Sequence, residues 1–290
     1  MGMLKTATIT LAVAAALGAA VGAVVVQAGL YDVAATKQHF QSVYSLLEHA
    51  MHRSVRLRAR DIEAPAMDDA GRIARGAACY QQKCVQCHGG PGVAQGEIGR
   101  SMQPLPGPLV DARQRWQPRE LYWITRHGIK MSGMPAWEHR LSDADLWAVV
   151  AFVHALPTFT PERYAAMTGG RWRVTSEDGQ PGAAPTACGP AADAPLRVAE
   201  AARGQRALTQ YACNACHSIP GVTGSQVQVG PPLAGMGRRT RIAGTLDHTP
   251  EGMVRWLRET QAVKPDTAMP QMGVTEQDAR DIAAYLQTLR

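Results

Sequence analysis

Aromatic side chains are scarce in this chain of 290 residues: Phe, Trp and Tyr together make up only 6 %. Gly (28) and Pro (19) run high, and the apolar fraction is an ordinary 46 %. That is material for two small domains plus extras, with short helices and long loops wrapped around a group that itself supplies apolar core. Concentrated charge is missing too. The net charge of +6 is spread thinly, with 11 basic and 7 acidic residues over 70–168 and 11 and 8 over 197–290. The basic residues are scattered and no nucleic-acid motif accompanies them, which argues against nucleic-acid binding and for mild steering towards an acidic protein partner. Cysteine is sparse as well, at six residues. No second ligand pair lies at short spacing from either Cys-x-x-Cys, as zinc requires, and no βαβ pattern surrounds them, as a thioredoxin-like redox pair requires.

What is present is Cys84-Val85-Gln86-Cys87-His88, repeated as Cys213-Asn214-Ala215-Cys216-His217. C-x-x-C-H is the attachment signature for c-type haem. Thiols three residues apart on one helical turn reach the two vinyl groups of a porphyrin, while the adjacent imidazole binds the iron from one side. Two covalently bound haem c groups are expected, and their four propionates offset about half of the positive charge of the two regions.

In chain order, residues 6–30 carry no charge and follow Lys5. A helix of that length rises about 37 Å, enough to cross a hydrocarbon core of about 30 Å with some tilt. The rival is a cleaved signal peptide, whose apolar region usually runs only about 7–15 residues, although Val26-Gln27-Ala28 offers a small-x-small site. Residues 1–30 are therefore assigned as a membrane anchor, or signal peptide, with Lys5 on the cytoplasmic side. Everything after residue 30 is then expected outside the cytoplasmic membrane, where disulfides form.

Residues 31–68 read as a helical connector with a loose apolar stripe of Val43, Leu46, Leu47, Ala50, Val55 and Leu57. Its Arg53, Arg56, Arg58 and Arg60 form either a docking patch for anionic lipid or a partner, or an ordinary solvated face. The first haem domain is placed at 69–168. Its opening helix carries Gly76 and Tyr80 on one face, and its closing helix starts at a Ser142-x-x-Asp145 cap and runs to Pro157. Residues 169–196 read as a Gly/Pro/Ala-rich linker containing Cys188, and 197–290 as the second haem domain. There the opening helix, within 196–213, carries Gly204. The closing helix starts at a Thr275-x-x-Asp278 cap with Ile282, Ala283, Leu286 and Leu289 inward. The unit helix, C-x-x-C-H, long loop, Met-Pro, capped helix thus occurs twice with a period of roughly 130 residues, a duplication and not a solenoid. The fold class is all-α, a transmembrane helix followed by two tandem domains.

A low-spin iron in an electron carrier needs a second ligand. Met134, before Pro135, and Met269, before Pro270, stand at equivalent places ahead of the closing-helix caps and are the candidates. Met131, Met236 and Met272 are competitors, since methionine is commonly a core filler, and His127 is an alternative to Met134. Cys79 and Cys188 are left over. They form either a disulfide pinning the linker to the first domain or free thiols, with Cys79 as an iron ligand a further option.

On these motifs the chain resembles the class I cytochrome c family in its two-domain, di-haem form. GPPLAGMGRR at 230–239 is similar to the family's loop after the attachment site, which implies that the Pro231 carbonyl accepts the His217 imidazole N–H. Gly107-Pro108-Leu109 is a shorter match, by which Pro106 or Pro108 serves His88. The resemblance also implies helix crossings at Gly76 with Phe152 and at Gly204 with Tyr285, and a Trp256 near a propionate. GLYDVAATKQHF and RARDIEAP resemble the front end of membrane-anchored bacterial cytochromes c, with haem domains facing the periplasm. The function implied is transfer of single electrons between a quinol-oxidising complex or extracytoplasmic dehydrogenase and a terminal oxidase. Alternatives are a haem enzyme, of di-haem peroxidase or thiosulfate-oxidising type, and a fixed subunit of a respiratory complex.

Overall fold

A computed structural model describes residues 2–168, 188, 195–224 and 229–290, and the chain divides into two compact units, Met1–Gly189 and Pro190–Arg290. The division falls within the expected linker 169–196, which lies outside the described residues apart from Cys188, Pro195 and Leu196. Both units are helical. Among the described residues the one sheet is a two-stranded antiparallel hairpin, β1 (Arg241–Ile242) with β2 (Leu246–Asp247).

The first unit begins with α1 (Gly2–Gln27), which buries none of its side chains and is long and apolar enough to cross a membrane. After it come α2 (Gln41–Ala59), α3 (Ala70–Lys83), α4 (Val85–His88), α5 (Glu97–Arg100), α6 (Ala112–Arg115), α7 (Pro118–His127), α8 (Asp143–Ala155) and α9 (Pro161–Thr168). Asp69 caps α3 by accepting from the Arg72 amide at 2.6 Å, and Ser142 caps α8 by accepting from the Asp145 amide at 3.1 Å. The two capped helices cross at Gly76. A Cβ there would lie 1.9 Å from the Ala148 carbonyl oxygen and 2.8 Å from the Phe152 Cβ, so only glycine permits this approach. Phe152 is fully buried at the centre of the crossing, with ring centroids of Tyr80, Phe159 and Tyr164 at 5.1, 5.2 and 5.8 Å.

Pro157 ends α8 in a 3₁₀ turn, Leu156–Thr158, yet the domain continues. α9, which the sequence pattern did not reveal, returns the chain so that the Tyr164 hydroxyl donates to the Gln81 side chain and its ring lies against Gly90. Cys188 is joined to Cys79 of α3 by a disulfide beside Asp145. The loop that it closes spans 109 positions, for which the chain-entropy treatment gives a stabilisation of about 4.8 kcal/mol, less any native strain.

The second unit has α10 (Ala201–Gln210), α11 (Pro250–Arg258), α12 (Thr260–Val263) and α13 (Glu276–Thr288). Here α10 starts at Ala201, later than the pattern from Leu196 suggests. The reason is local: the Glu200 amide, instead of joining a helical turn, donates to the buried Asp281 carboxylate at 2.7 Å. A Cβ on Gly204 would lie 1.9 Å from the Asp281 carbonyl oxygen, four residues before Tyr285, just as Ala148 stands four residues before Phe152 in the first domain. The Tyr285 hydroxyl donates to the Pro220 carbonyl at 2.6 Å.

Each crossing glycine follows an arginine that bonds a buried carboxylate on the closing helix. Arg75 Nε donates to Asp145 at 2.5 Å; Arg203 donates to Asp281 through Nε at 2.8 Å and Nη2 at 2.9 Å. Burial raises the Asp281 pKa, but the Arg203, Glu200 and Gln277 hydrogen bonds outweigh it and hold the carboxyl below its ordinary value. The stabilisation is therefore present above the ordinary carboxylate range and disappears as pH falls through the lowered folded value.

Asp281→Asn is expected to destabilise the second domain by about 3 kcal/mol at neutral pH, because it removes the buried charge that Arg203 pairs with in the helix crossing and leaves it only the more exposed Glu200. Urea titration followed by circular dichroism should also show a shallower loss of stability with acid in the variant. In the same assay Cys188→Ser should lower the stability of the first domain by about 3–5 kcal/mol, the amount that reductant removes from the unmodified chain.

Candidate haem sites

Both attachment motifs occupy the turn that follows the opening helix. In the first domain the Cys84 amide donates to Tyr80 O at 2.8 Å, ending α3, and the His88 amide donates to Cys84 O at 2.9 Å, closing α4 around both cysteines and the histidine. In the second, Ala212 in the left-handed region (φ 52°) breaks α10. The His217 amide then donates to Cys213 O at 2.9 Å. Either way one turn presents two thiols and an imidazole together. Glycines press against these turns: a Cβ on Gly99 would lie 2.8 Å from Cys87 Cα, and one on Gly230 would lie 2.4 Å from His217 Cε1.

Burial pushes the Cys84 thiol up to about 12 and the Cys213 thiol up to about 11, so neither would ionise at neutral pH in the folded chain with free thiols. With free thiols such groups are poor redox or hydrolytic nucleophiles. Burial likewise lowers the His88 pKa, against the opposing effect of its backbone hydrogen bond. The imidazole is then neutral and offers a nitrogen lone pair.

The ring orientation follows from one hydrogen bond in each domain. His217 Nδ1 lies 2.8 Å from the Pro231 carbonyl oxygen, which only accepts, so Nδ1 carries the proton and Nε2 is left as the ligand atom. In the first domain the acceptor is the Gly107 carbonyl at 2.9 Å. This corrects the expectation for Pro108 or Pro106. The Pro106 carbonyl is taken by the Gln95 side chain, which leaves the next carbonyl facing His88.

In the second domain the motif opens on a cavity of about 300 Å³. Cys213, Cys216, His217 and Met269 lie on its wall among Leu208, Leu233, Ile242, Met253, Leu257 and Leu286. Trp256 also lines it, as do the cationic side chains of Arg239 and Lys264. Thioether-forming cysteines, one imidazole, one thioether sulfur, an apolar wall and two cations suited to carboxylates are the donor set that a haem c requires, and the residues fit the group. Gln261 Nε2 donates to the carbonyls of Thr267 at 3.0 Å and Met269 at 2.8 Å and so pins the Met-Pro segment. Met236 and Met272 share the wall, Met236 as part of the buried core and Met272 partly exposed.

In the first domain the half-buried Met134 is held by a folded loop. Ile129 N donates to Met134 O at 3.2 Å, and Gly128, with φ 66°, lies so close that a Cβ would stand 2.6 Å from that oxygen. Met131 points to solvent at 94 % exposure. His127 stands 3.8 Å from a Glu138 carboxylate oxygen and 5.0 Å from the Trp123 ring centroid, so it has protein partners of its own. Met102, absent from the sequence-level candidates, brings its sulfur to within 2.5 Å of where a Gly133 Cβ would stand, against the loop that carries Met134. Nothing in the local pattern marks it. Two short helices read as loop from the sequence, α7 and α11, and α11 walls the second site through Met253, Trp256 and Leu257; each begins with proline at its first position, which is the signal that was there.

A turn of two cysteines and a histidine behind a glycine-crossed helix pair, with a methionine loop ahead of the closing helix, defines a class I cytochrome c domain, and this chain contains two. The family comparison agrees. The model described as "Cytochrome C oxidase, cbb3-type, subunit III" matches residues 71–153, and that described as "Cytochrome c" matches residues 201–290. The chain belongs to the two-domain c-type cytochromes. Among curated proteins it is 32 % identical over 89 residues to cytochrome c oxidase subunit 2 of Alkalihalophilus pseudofirmus, covering 30 % of this chain and 25 % of that protein. It is 31 % identical over 100 residues to the same subunit of Bacillus sp. (strain PS3), covering 33 % and 28 %. It is 30 % identical over 92 residues to the cbb3-type cytochrome c oxidase subunit CcoP of Azospirillum sp. (strain B510), covering 30 % of each. The matched part is thus between a quarter and a third of those relatives. No solved structure matches.

Gly230→Ala is expected to drive a methyl group into the His217 imidazole. One of the two haem signals should change in the visible spectrum, with a shifted midpoint potential, while the other is unaltered.

Proposed function

We propose that the chain is a membrane-anchored di-haem electron carrier that delivers single electrons to a terminal oxidase. The observation that carries this is the second-domain cavity, where a carbonyl-oriented imidazole and the Met269 side chain line one largely apolar space. With His217 and Met269 as the two iron ligands there, and His88 and Met134 in the first domain, no coordination site is left for a substrate. Methionine opposite histidine raises the potential, which suits donation to an oxidase. The protein contributes orientation, exclusion of water and placement of the haem edge near the surface. α1 acts as the anchor, and the two domains face the periplasm of a bacterium. The arginine and lysine at the cavity, with the positive balance of both domains, favour an acidic docking partner.

A second reading keeps the chemistry and changes the station: the chain is a fixed cytochrome subunit of a cbb3-like oxidase. The family match over 71–153 and the similarity to CcoP support it. Purification in mild detergent separates the two, since a subunit co-migrates with haem–copper oxidase and a mobile carrier runs alone. The donor, whether a quinol-oxidising complex or an extracytoplasmic dehydrogenase, is the component that reduces the protein in membranes when its own substrate is added.

Redox titration of the purified protein should show two one-electron steps, low-spin spectra and the far-red band of thioether-ligated iron. Met269→His and Met134→His should each lower one potential and leave the other in place. A high-spin component or rapid cyanide binding in the unmodified protein would instead favour the haem-enzyme alternative.

A further inference from the structure

α2 has two apolar faces, and the first domain uses only one. Val55 and Ala59 are buried, His52 stacks on Trp116 with ring centroids 4.0 Å apart, and Arg56 Nε approaches the buried Glu120 at 3.8 Å. Arg119 also donates to the Arg60 carbonyl at 3.1 Å. At about 100° per residue, His52, Val55, Arg56 and Ala59 fall within one sector of about 100°. The other apolar residues point elsewhere. Phe40, just before the helix, with Tyr44, Leu46, Leu47 and Leu57, falls in a sector centred about 140° away from the first, and all five are exposed, by 77, 44, 68, 54 and 59 %. A helix docked through one stripe normally turns charge to water on the other side. Here leucines and aromatics stand where charge is expected, with the exposed Arg58 the one charged residue among them.

We propose that this second face of α2 lies in the headgroup region of the bilayer that α1 crosses, so that the first haem domain is held against the membrane and not swung on a free tether. The inference rests on α1 being retained as an anchor. Three observations choose lipid as the occupant. Only 13 residues, 28–40, separate α1 from α2, so the start of α2 stays within about 45 Å of the end of the membrane helix. The segment 31–60 holds five basic residues against two acidic ones, and Arg53 borders the apolar face, as suits an interfacial helix on anionic phospholipid. Tyr31, Phe40 and Tyr44, at the end nearest α1, are all exposed, and aromatic side chains favour the membrane–water boundary. Because α2 is fixed to α7 by the contacts above, laying it on lipid also sets the orientation of the haem domain attached to it.

The test uses the full-length holoprotein in phosphatidylcholine vesicles with and without phosphatidylglycerol. All six native cysteines are committed to thioether bonds or the disulfide, so a single introduced cysteine takes a spin label. Labels at Leu46→Cys, Leu47→Cys, His49→Cys and Leu17→Cys are compared for collision with a water-soluble nickel chelate and with oxygen. The expected result is a severalfold loss of nickel accessibility at positions 46 and 47 relative to the exposed position 49, stronger with phosphatidylglycerol, with position 17 fully shielded. Equal nickel access at 46, 47 and 49 while 17 stays shielded would overturn the proposal and leave the anchor standing. Nickel access at 17 would remove the anchor and the proposal together. Shielding at 46 and 47 in a detergent-solubilised oxidase complex but not in vesicles would overturn it in favour of a protein partner.

Discussion

Each domain is organised by a contact that no side chain could survive. The carbonyl oxygens of Ala148 and Asp281 occupy the space where a Cβ of Gly76 or Gly204 would stand. With the two helices that close, the attachment turn at the end of the opening helix and the methionine loop ahead of the closing helix are carried by one rigid frame. Aliphatic packing alone would tolerate sliding; a backbone carbonyl seated against a glycine does not. The pairs of part-exposed Arg75 and Arg203 with the buried Asp145 and Asp281 lock the same crossings electrostatically. Each carboxylate accepts more than one hydrogen bond, which is the condition under which its burial is tolerated.

From that frame the chemistry follows by short steps. Helical backbone bonds gather two thiols and an imidazole on one turn, and a carbonyl in the following loop selects the tautomer that leaves the Nε2 lone pair free. The two domains solve the second problem with different atoms, Pro231 in one and Gly107 in the other. A carbonyl is available from any residue, so what has to be conserved in space is the loop path. Side-chain identity matters less, and Gln95 decides that path locally by occupying the neighbouring Pro106 carbonyl. In the second domain Gly230 adds a steric wall to the same imidazole, while the Met-Pro segment is pinned from the backbone by Gln261.

The first domain carries additions that the second does not show among the described residues. A disulfide fixes Cys188 beside the α3–α8 crossing, α9 caps the attachment turn through Tyr164, and α2 is stacked on Trp116. All of these stiffen the domain nearer to the apolar N-terminal helix.

The sequence by itself determined the two attachment turns, the closing-helix caps at Ser142 and Thr275 and the apolar run of α1. Each is a local rule: adjacent residues on one turn, a side chain bonding an amide three residues on, an uninterrupted apolar length. The expected crossing at Phe152 was likewise legible, because Gly76 and the aromatic stripe repeat a family pattern. Only the tertiary structure decided the partners of Asp145 and Asp281, the carbonyls seated against Gly76 and Gly204, the start of α10 at Ala201, the Gly107 acceptor and the position of Met102. In each of these a group is chosen by elements 19 to 81 residues apart in the chain, competing for one donor or one space. Sequence spacing holds no record of that competition, since it is settled by which atoms arrive at the same point when the helices close.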